Sequence, residues 1–137
     1  MLDIAPAAIE RAKQRLGNRA SLVQWIVGDM TALDNVGTFD VWHDRAAFHF
    51  LTDRRDRERY VRLLTNTVPV GGHAIIATFA PGGPTQCSGL DVVRYDGESL
   101  CRELGRGFDL LQSLPETHMT PWGMPQSFQY AVFRRGN

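Results

Sequence analysis

Residues 73–79 read HAIIATF, and this stretch decides the fold. It has the length of one strand and is nearly all apolar, as a strand buried on both faces of a sheet is. Gly71-Gly72 stand before it, and a loop rich in Gly and Pro runs after it from Ala80 to Gly89. Upstream, Asp53 is placed to cap a helix that carries Tyr60, Val61, Leu64 and Val68 on one side, with Pro69 and Gly71-Gly72 as the stop. Phe39 to His43 is a further strand candidate, and so is Ser21 to Val27 (SLVQWIV), which Gly28-Asp29 ends. Met1 to Ile4 is a strand-like stub. Ala5-Pro6 then opens a helix with Ile9, Ala12 and Leu16 at helical spacing, stopped by Gly17-Asn18. Downstream, Asp96 caps a helix with Leu100, Cys101 and Leu104 inward. Phe108–Leu114 and Phe128–Arg134 close the chain as two strands joined by a long loop containing Pro121-Trp122-Gly123. Strands that alternate with helices predict an α/β fold in one domain over residues 1–137, its sheet mainly parallel and its last strand antiparallel.

Composition excludes several functional classes. The 137 residues carry a net charge of +0, which argues against a dedicated nucleic-acid binder. No apolar run approaches the ~20 residues that span a bilayer, and no basic start followed by an apolar run marks a secretory signal. Two cysteines, Cys87 and Cys101, fit a reducing cytoplasm better than a disulfide scaffold. Lys13 is the only lysine, and the arginines at 54, 55, 57, 59 and 62 alternate with Asp53, Asp56 and Glu58, the pattern of a solvated helix face.

Ligands of an open α/β sheet bind at the carboxyl ends of its strands. The polar residues expected there are Asp3, Asp29, the run His43-Asp44-Arg45, and Thr78. A carboxylate suits a ribose cis-diol, although Asp3 also reads as a helix cap. Within Gly28-Asp29-Met30, the glycine admits close backbone approach, the Asp accepts from an adenine amine, and Met30 offers a soft apolar wall. His43, Asp44 and His49 form H-D-x₄-H, which fits no standard metal spacing, so no metal is expected. Ser88 with His118 admits a hydrolytic triad, without a G-x-S-x-G elbow to support it. His118 to Gly123 and Gln126 make a polar, aromatic loop, in which Trp122 either contacts substrate or caps the core edge. Trp25 and Trp42 read as packing residues.

Taken in order, LDIAPAAIERAKQRLG, VGDMTAL, FDVWHDRAAFHFL, VGGHAIIATF and FQYAVFRR resemble the successive motifs of class I S-adenosylmethionine-dependent methyltransferases. The resemblance implies a Rossmann-like sheet, S-adenosylmethionine as cofactor and a small-molecule methyl acceptor. It assigns the cofactor ribose to Asp3 with Ile4 beside it, and the adenine to Asp29 with Gly28 and Met30. Asp44 and Arg45 fall at the methionine end of the cofactor, while His43, Phe48 and Trp122 fall at the acceptor. Methyl transfer is an in-line displacement that depends on positioning and on exclusion of water. Where the acceptor must lose a proton, His49 or His118 is the expected base, since an imidazole titrates near ~6.5.

Members of that family begin with a strand that ends in an E/D-x-G-x-G-x-G turn, and the sequence shows no such element ahead of Leu2. The expected sheet therefore lacks its first strand, which lies centrally between the strands ending at Asp3 and at His43. Unpaired edges in mid-sheet predict a homodimer that completes or covers it. Two alternatives stand beside this reading: a small esterase using the strand-end cleft with Ser88, His43, His49 and His118, and a non-enzymatic module.

Overall fold

The computed structural model describes all residues from Met1 to Asn137. β1 (Leu2–Asp3) leads into α1 (Pro6–Leu16), whose first turn holds the proline and whose Ile9 is buried. Residues 17–22 form a 3₁₀ turn, so the expected strand from Ser21 contracts to β2 (Ile26–Val27). β1 and β2 pair in parallel as a sheet of their own.

The main sheet has four strands in the order β3–β4–β8–β7, with β3 at Val41–Arg45, β4 at His73–Phe79, β7 at Phe108–Met119 and β8 at Pro125–Arg135. β3 and β4 are parallel, and β8 is antiparallel to both β4 and β7. Three strands therefore run one way and β8 runs against them, as the sequence predicts. Asp53 caps α2 (Arg54–Thr67) by accepting from the Arg55 amide at 2.7 Å. Asp96 forms a capping box with Ser99 at the start of α3 (Gly97–Leu104). The long loop expected before the last strand is instead a hairpin turn of residues 120–124, because β7 and β8 pair continuously from Phe108–Arg135 to Met119–Pro125 apart from one bulge.

Side-chain parity sorts the sheet into two faces. Ala74 and Ile76 of β4, with Ala131 and Phe133 of β8, meet Tyr60 and Leu64 of α2, Val68 just after it, and Leu100 and Leu104 of α3 in the main core. The opposite face holds a smaller cluster of Ala77, Phe79 and Phe128 near the carboxyl ends of β3 and β4. Cys87 and Val92 lie over it from the small β5–β6 hairpin (Gln86–Cys87, Leu90–Asp91) and the residue after it. Farther back on that face Val41 is 54% exposed.

The two sheets do not merge. β1 and β3 share no ladder, and the N-terminal unit is tied to the rest by bonds such as Phe39 N–H to Thr67 O (3.0 Å) and Asn66 Nδ2 to Asp34 O (3.2 Å).

Candidate functional site

The parallel pairing of β1 with β2 brings Asp3 and Asp29 to neighbouring strand ends. The Gly28 amide donates to Asp3 O at 3.0 Å, one residue before Asp29. Asp3 Oδ1 accepts from the Ala5 amide at 2.8 Å, the cap-like role, which leaves Oδ2 unspent. Asp29 Oδ1 accepts from both the amide and the hydroxyl of Thr31, each at 2.8 Å. Those bonds hold its carboxyl below the usual range, so it is an exposed, ionised acceptor. Ile4 is 68% exposed beside Asp3, whereas Met30 packs against the main core. The close approach at Gly28 is made by a side chain of the chain itself: a Cβ there would stand 3.3 Å from Leu33 Cδ1.

Past β3 the chain turns sharply at Ala46, which takes a left-handed φ of 63°. An alanine pays about 1–2 kcal/mol for that conformation. Asp44 offsets it: Oδ1 accepts from the Ala47 amide (2.9 Å), and Oδ2 from the Phe48 amide (3.0 Å) and the Tyr60 hydroxyl (2.7 Å). Trp42 Nε1 in turn donates to the Tyr60 oxygen at 2.9 Å, which gives Trp42 the packing role expected of it. Burial pushes the Asp44 carboxyl above its usual range, against these three donors. The carboxylate is thus spent inside the protein, and Asp44 is an anchor of the turn rather than an open cofactor ligand.

Three further expectations change with the geometry. Phe48 is fully buried, its ring 4.8 Å from Tyr60 and 5.4 Å from Tyr95, so it is core and lines no acceptor surface. His49 is fully buried too: Nδ1 accepts from the Phe79 amide at 3.3 Å, and Nε2 has no partner. Burial pulls its pKa down to about 4, so it is neutral and sealed from any acceptor, and it is not the base. Arg45 reaches across Ala77 to β8, where its Nε donates to the Tyr130 oxygen at 3.0 Å, and is hydrogen-bonded there rather than to any residue of β1 or β2.

His43 is exposed on β3 and half-buried His118 lies near the end of β7, its ring 6.2 Å from Phe128. Trp122 sits at the β7–β8 tip, 85% exposed, and caps no core. Thr78 is buried with an unpartnered hydroxyl. Ser88 occupies the left-handed turn of the β5–β6 hairpin (φ 52°) and is joined to no histidine. No three His, Cys, Asp or Glu side chains gather as metal ligands. A surface depression of about 530 Å³ between α3 and the start of β7 lies at the opposite end of the sheet and contains none of these residues. Phe128 and Tyr130, which the sequence offers only as part of a strand, stand on the same sheet face as Arg45.

The profile of the methyltransferase-domain family matches residues 1–76, more than half the chain. The chain belongs to that family. Among solved structures, the N-methyltransferase NodS from Bradyrhizobium japonicum WM9, in complex with S-adenosyl-L-homocysteine, matches 99% of the chain at TM-score 0.71 and 16% identity. A methyltransferase from Methanosarcina mazei matches 98% at TM-score 0.74 and 13% identity. The 1,6-didemethyltoxoflavin-N1-methyltransferase of Burkholderia thailandensis matches 99% at TM-score 0.71 and 17% identity. What is shared at these identities is the Rossmann-like methyltransferase fold. The chain spans 65% of the NodS chain, 80% of the M. mazei chain and 60% of the B. thailandensis chain. A search of curated proteins returned no match. No helix is long and apolar enough to cross a membrane.

Two measurements check the buried groups. Tyr60→Phe removes a donor from buried Asp44 and is expected to cost about 1–3 kcal/mol in urea denaturation. Because the Asp44 carboxyl is already raised and Tyr60 holds it down, the penalty is larger at pH 8, where the charge must be buried, than at pH 4. A penalty independent of pH contradicts this. For His49, the unfolded chain takes a proton below ~6.5 while the folded one waits until about 4. Its contribution to stability is full above pH 6.5 and falls as the pH drops toward 4, by roughly 3 kcal/mol in all. His49→Gln should flatten that part of the acid limb, and an unchanged limb counts against the assignment.

Proposed function

We propose that this chain forms the transferase core of an S-adenosylmethionine-dependent methyltransferase that acts on a small-molecule acceptor. One observation carries the reading: two acidic side chains with unspent carboxylate oxygens, Asp3 and Asp29, stand at adjacent parallel strand ends joined by the Gly28 amide. A carboxylate pair so spaced fits a nucleoside: Asp3 accepts from the ribose hydroxyls and Asp29 from the exocyclic amine of adenine. When bound, the cofactor supplies an electrophilic methyl group. The chain's own task is to hold the two ends of the nucleoside and to aim the acceptor from the β4–β8 side. His118, exposed in part beside Phe128, is the imidazole proposed to take a proton from a hydroxyl or ammonium acceptor. A hydrolase has less support, because no histidine is hydrogen-bonded to Ser88 in its left-handed turn.

The chain is proposed to work as a cytoplasmic homodimer. β3 has no neighbour on its outer edge, and Ile4, Val27 and Val41 are 68%, 53% and 54% exposed. An open strand edge beside exposed aliphatic side chains favours a second copy. Sedimentation equilibrium should return twice the chain mass of 15.4 kDa, and a monomer at micromolar concentration removes this part.

Calorimetric titration with S-adenosylhomocysteine tests the main reading. Saturable binding that weakens at least ten-fold in Asp29→Asn and in Asp3→Asn is the expected result. No heat at millimolar ligand contradicts it.

A further inference from the structure

Arg45, Ala77 and Tyr130 form one row across β3, β4 and β8 on the same face of the sheet. Adjacent strands lie about 4.8 Å apart, so Arg45 must cross roughly 10 Å to meet Tyr130, and the short side chain of Ala77 lets it pass. It does so: Arg45 Nε donates to the Tyr130 oxygen at 3.0 Å, and the guanidinium lies 5.1 Å from the centre of the Phe128 ring. An exposed arginine usually forfeits rotamer freedom when it is fixed. Here the hydrogen bond and the cation–π contact fix it beforehand.

The same side chain leaves its terminal nitrogens unused. No carboxylate lies within 4.0 Å of Arg45, although four other cations of the chain are so paired. Glu116, which faces Phe128 from β7, makes no ion pair with it. The open fork stands at the carboxyl ends of β3 and β4. A planar guanidinium held by its Nε and by an aromatic face, with both terminal amino groups free, is arranged to grip a carboxylate through two parallel bonds. One cation, with Glu116 nearby, suits a singly charged carboxylate better than a doubly charged phosphate. Tyr130, partly exposed beside the guanidinium, favours a planar or aromatic body behind the carboxylate.

We infer that Arg45 is the specificity residue for the methyl acceptor and that the acceptor carries a carboxylate, gripped by the free fork of Arg45 while Tyr130 and Phe128 hold the guanidinium in place. This inference rests on the methyltransferase reading for the word acceptor, but not for the anion site itself. The two parts fail separately in one experiment on the full chain. Benzoate and its uncharged counterpart benzamide are titrated by ligand-observed NMR, and S-adenosylhomocysteine by calorimetry, against wild type, Arg45→Met, Arg45→Lys and Tyr130→Phe. The expected result has benzoate binding at least ten-fold more tightly than benzamide. Arg45→Met should erase that preference, while Arg45→Lys and Tyr130→Phe weaken benzoate several-fold; S-adenosylhomocysteine should bind all four proteins alike. Equal binding of benzoate and benzamide to wild type, or an unchanged benzoate affinity in Arg45→Met, overturns the inference. Arginine-dependent benzoate binding without any S-adenosylhomocysteine binding overturns the assignment to a methyl acceptor.

Discussion

Asp44 lies 6% exposed at the carboxyl end of β3, with two backbone amides and the Tyr60 hydroxyl donating to it. An ionised carboxylate is costly in that position, and each donor that meets it reduces the cost. The donors come from distant points of the sequence. The amides of Ala47 and Phe48 fix the turn after β3, and Tyr60 brings in α2. Through Tyr60 the bond reaches Trp42, one alternation back on the same strand and the same face. Satisfying one buried charge therefore fixes the exit of β3, the docking of α2 and the left-handed Ala46 at once.

The consequences run to both faces of the sheet. Because Asp44 points to the main core, its neighbour Arg45 must point to the other face. That face is where the small cluster of Ala77, Phe79 and Phe128 begins, so the guanidinium finds an aromatic floor rather than a helix. Phe48 and His49 follow the turn and plunge into the interior, which removes both from chemistry. The same few residues that resemble a ligand-lining segment thus divide sharply. Asp44, Phe48 and His49 hold the fold, and Arg45 is left free to act.

Local chemistry was legible in the sequence wherever short range decides. Asp53 and Asp96 cap helices because an Asp side chain reaches the amides just ahead of it, and HAIIATF is buried because nothing polar interrupts it. The order of strands and helices was equally plain, and so was the family. Burial of a polar side chain was not, because it depends on partners far along the chain. No spacing rule links Asp44 with Tyr60, or His49 with the amide of Phe79. The segment SLVQWIV shows a second limit. Its apolar content suits a strand, but residues up to Leu22 close a 3₁₀ turn after α1, which leaves only Ile26 and Val27 to pair with β1. The loop around Trp122 failed for the opposite reason. Exposed residues from Pro115 to Thr117 hide the second half of a strand whose partner, β8, supplies the regularity.

The central claim is that a nucleoside binds across the ends of β1 and β2. Backbone NMR with added S-adenosylhomocysteine tests this most directly, because it reports where a ligand binds as well as whether it does. The account predicts saturable shifts concentrated at Asp3–Ala5 and Gly28–Thr31. Shifts confined to the depression between α3 and β7, or none at millimolar ligand, would contradict it.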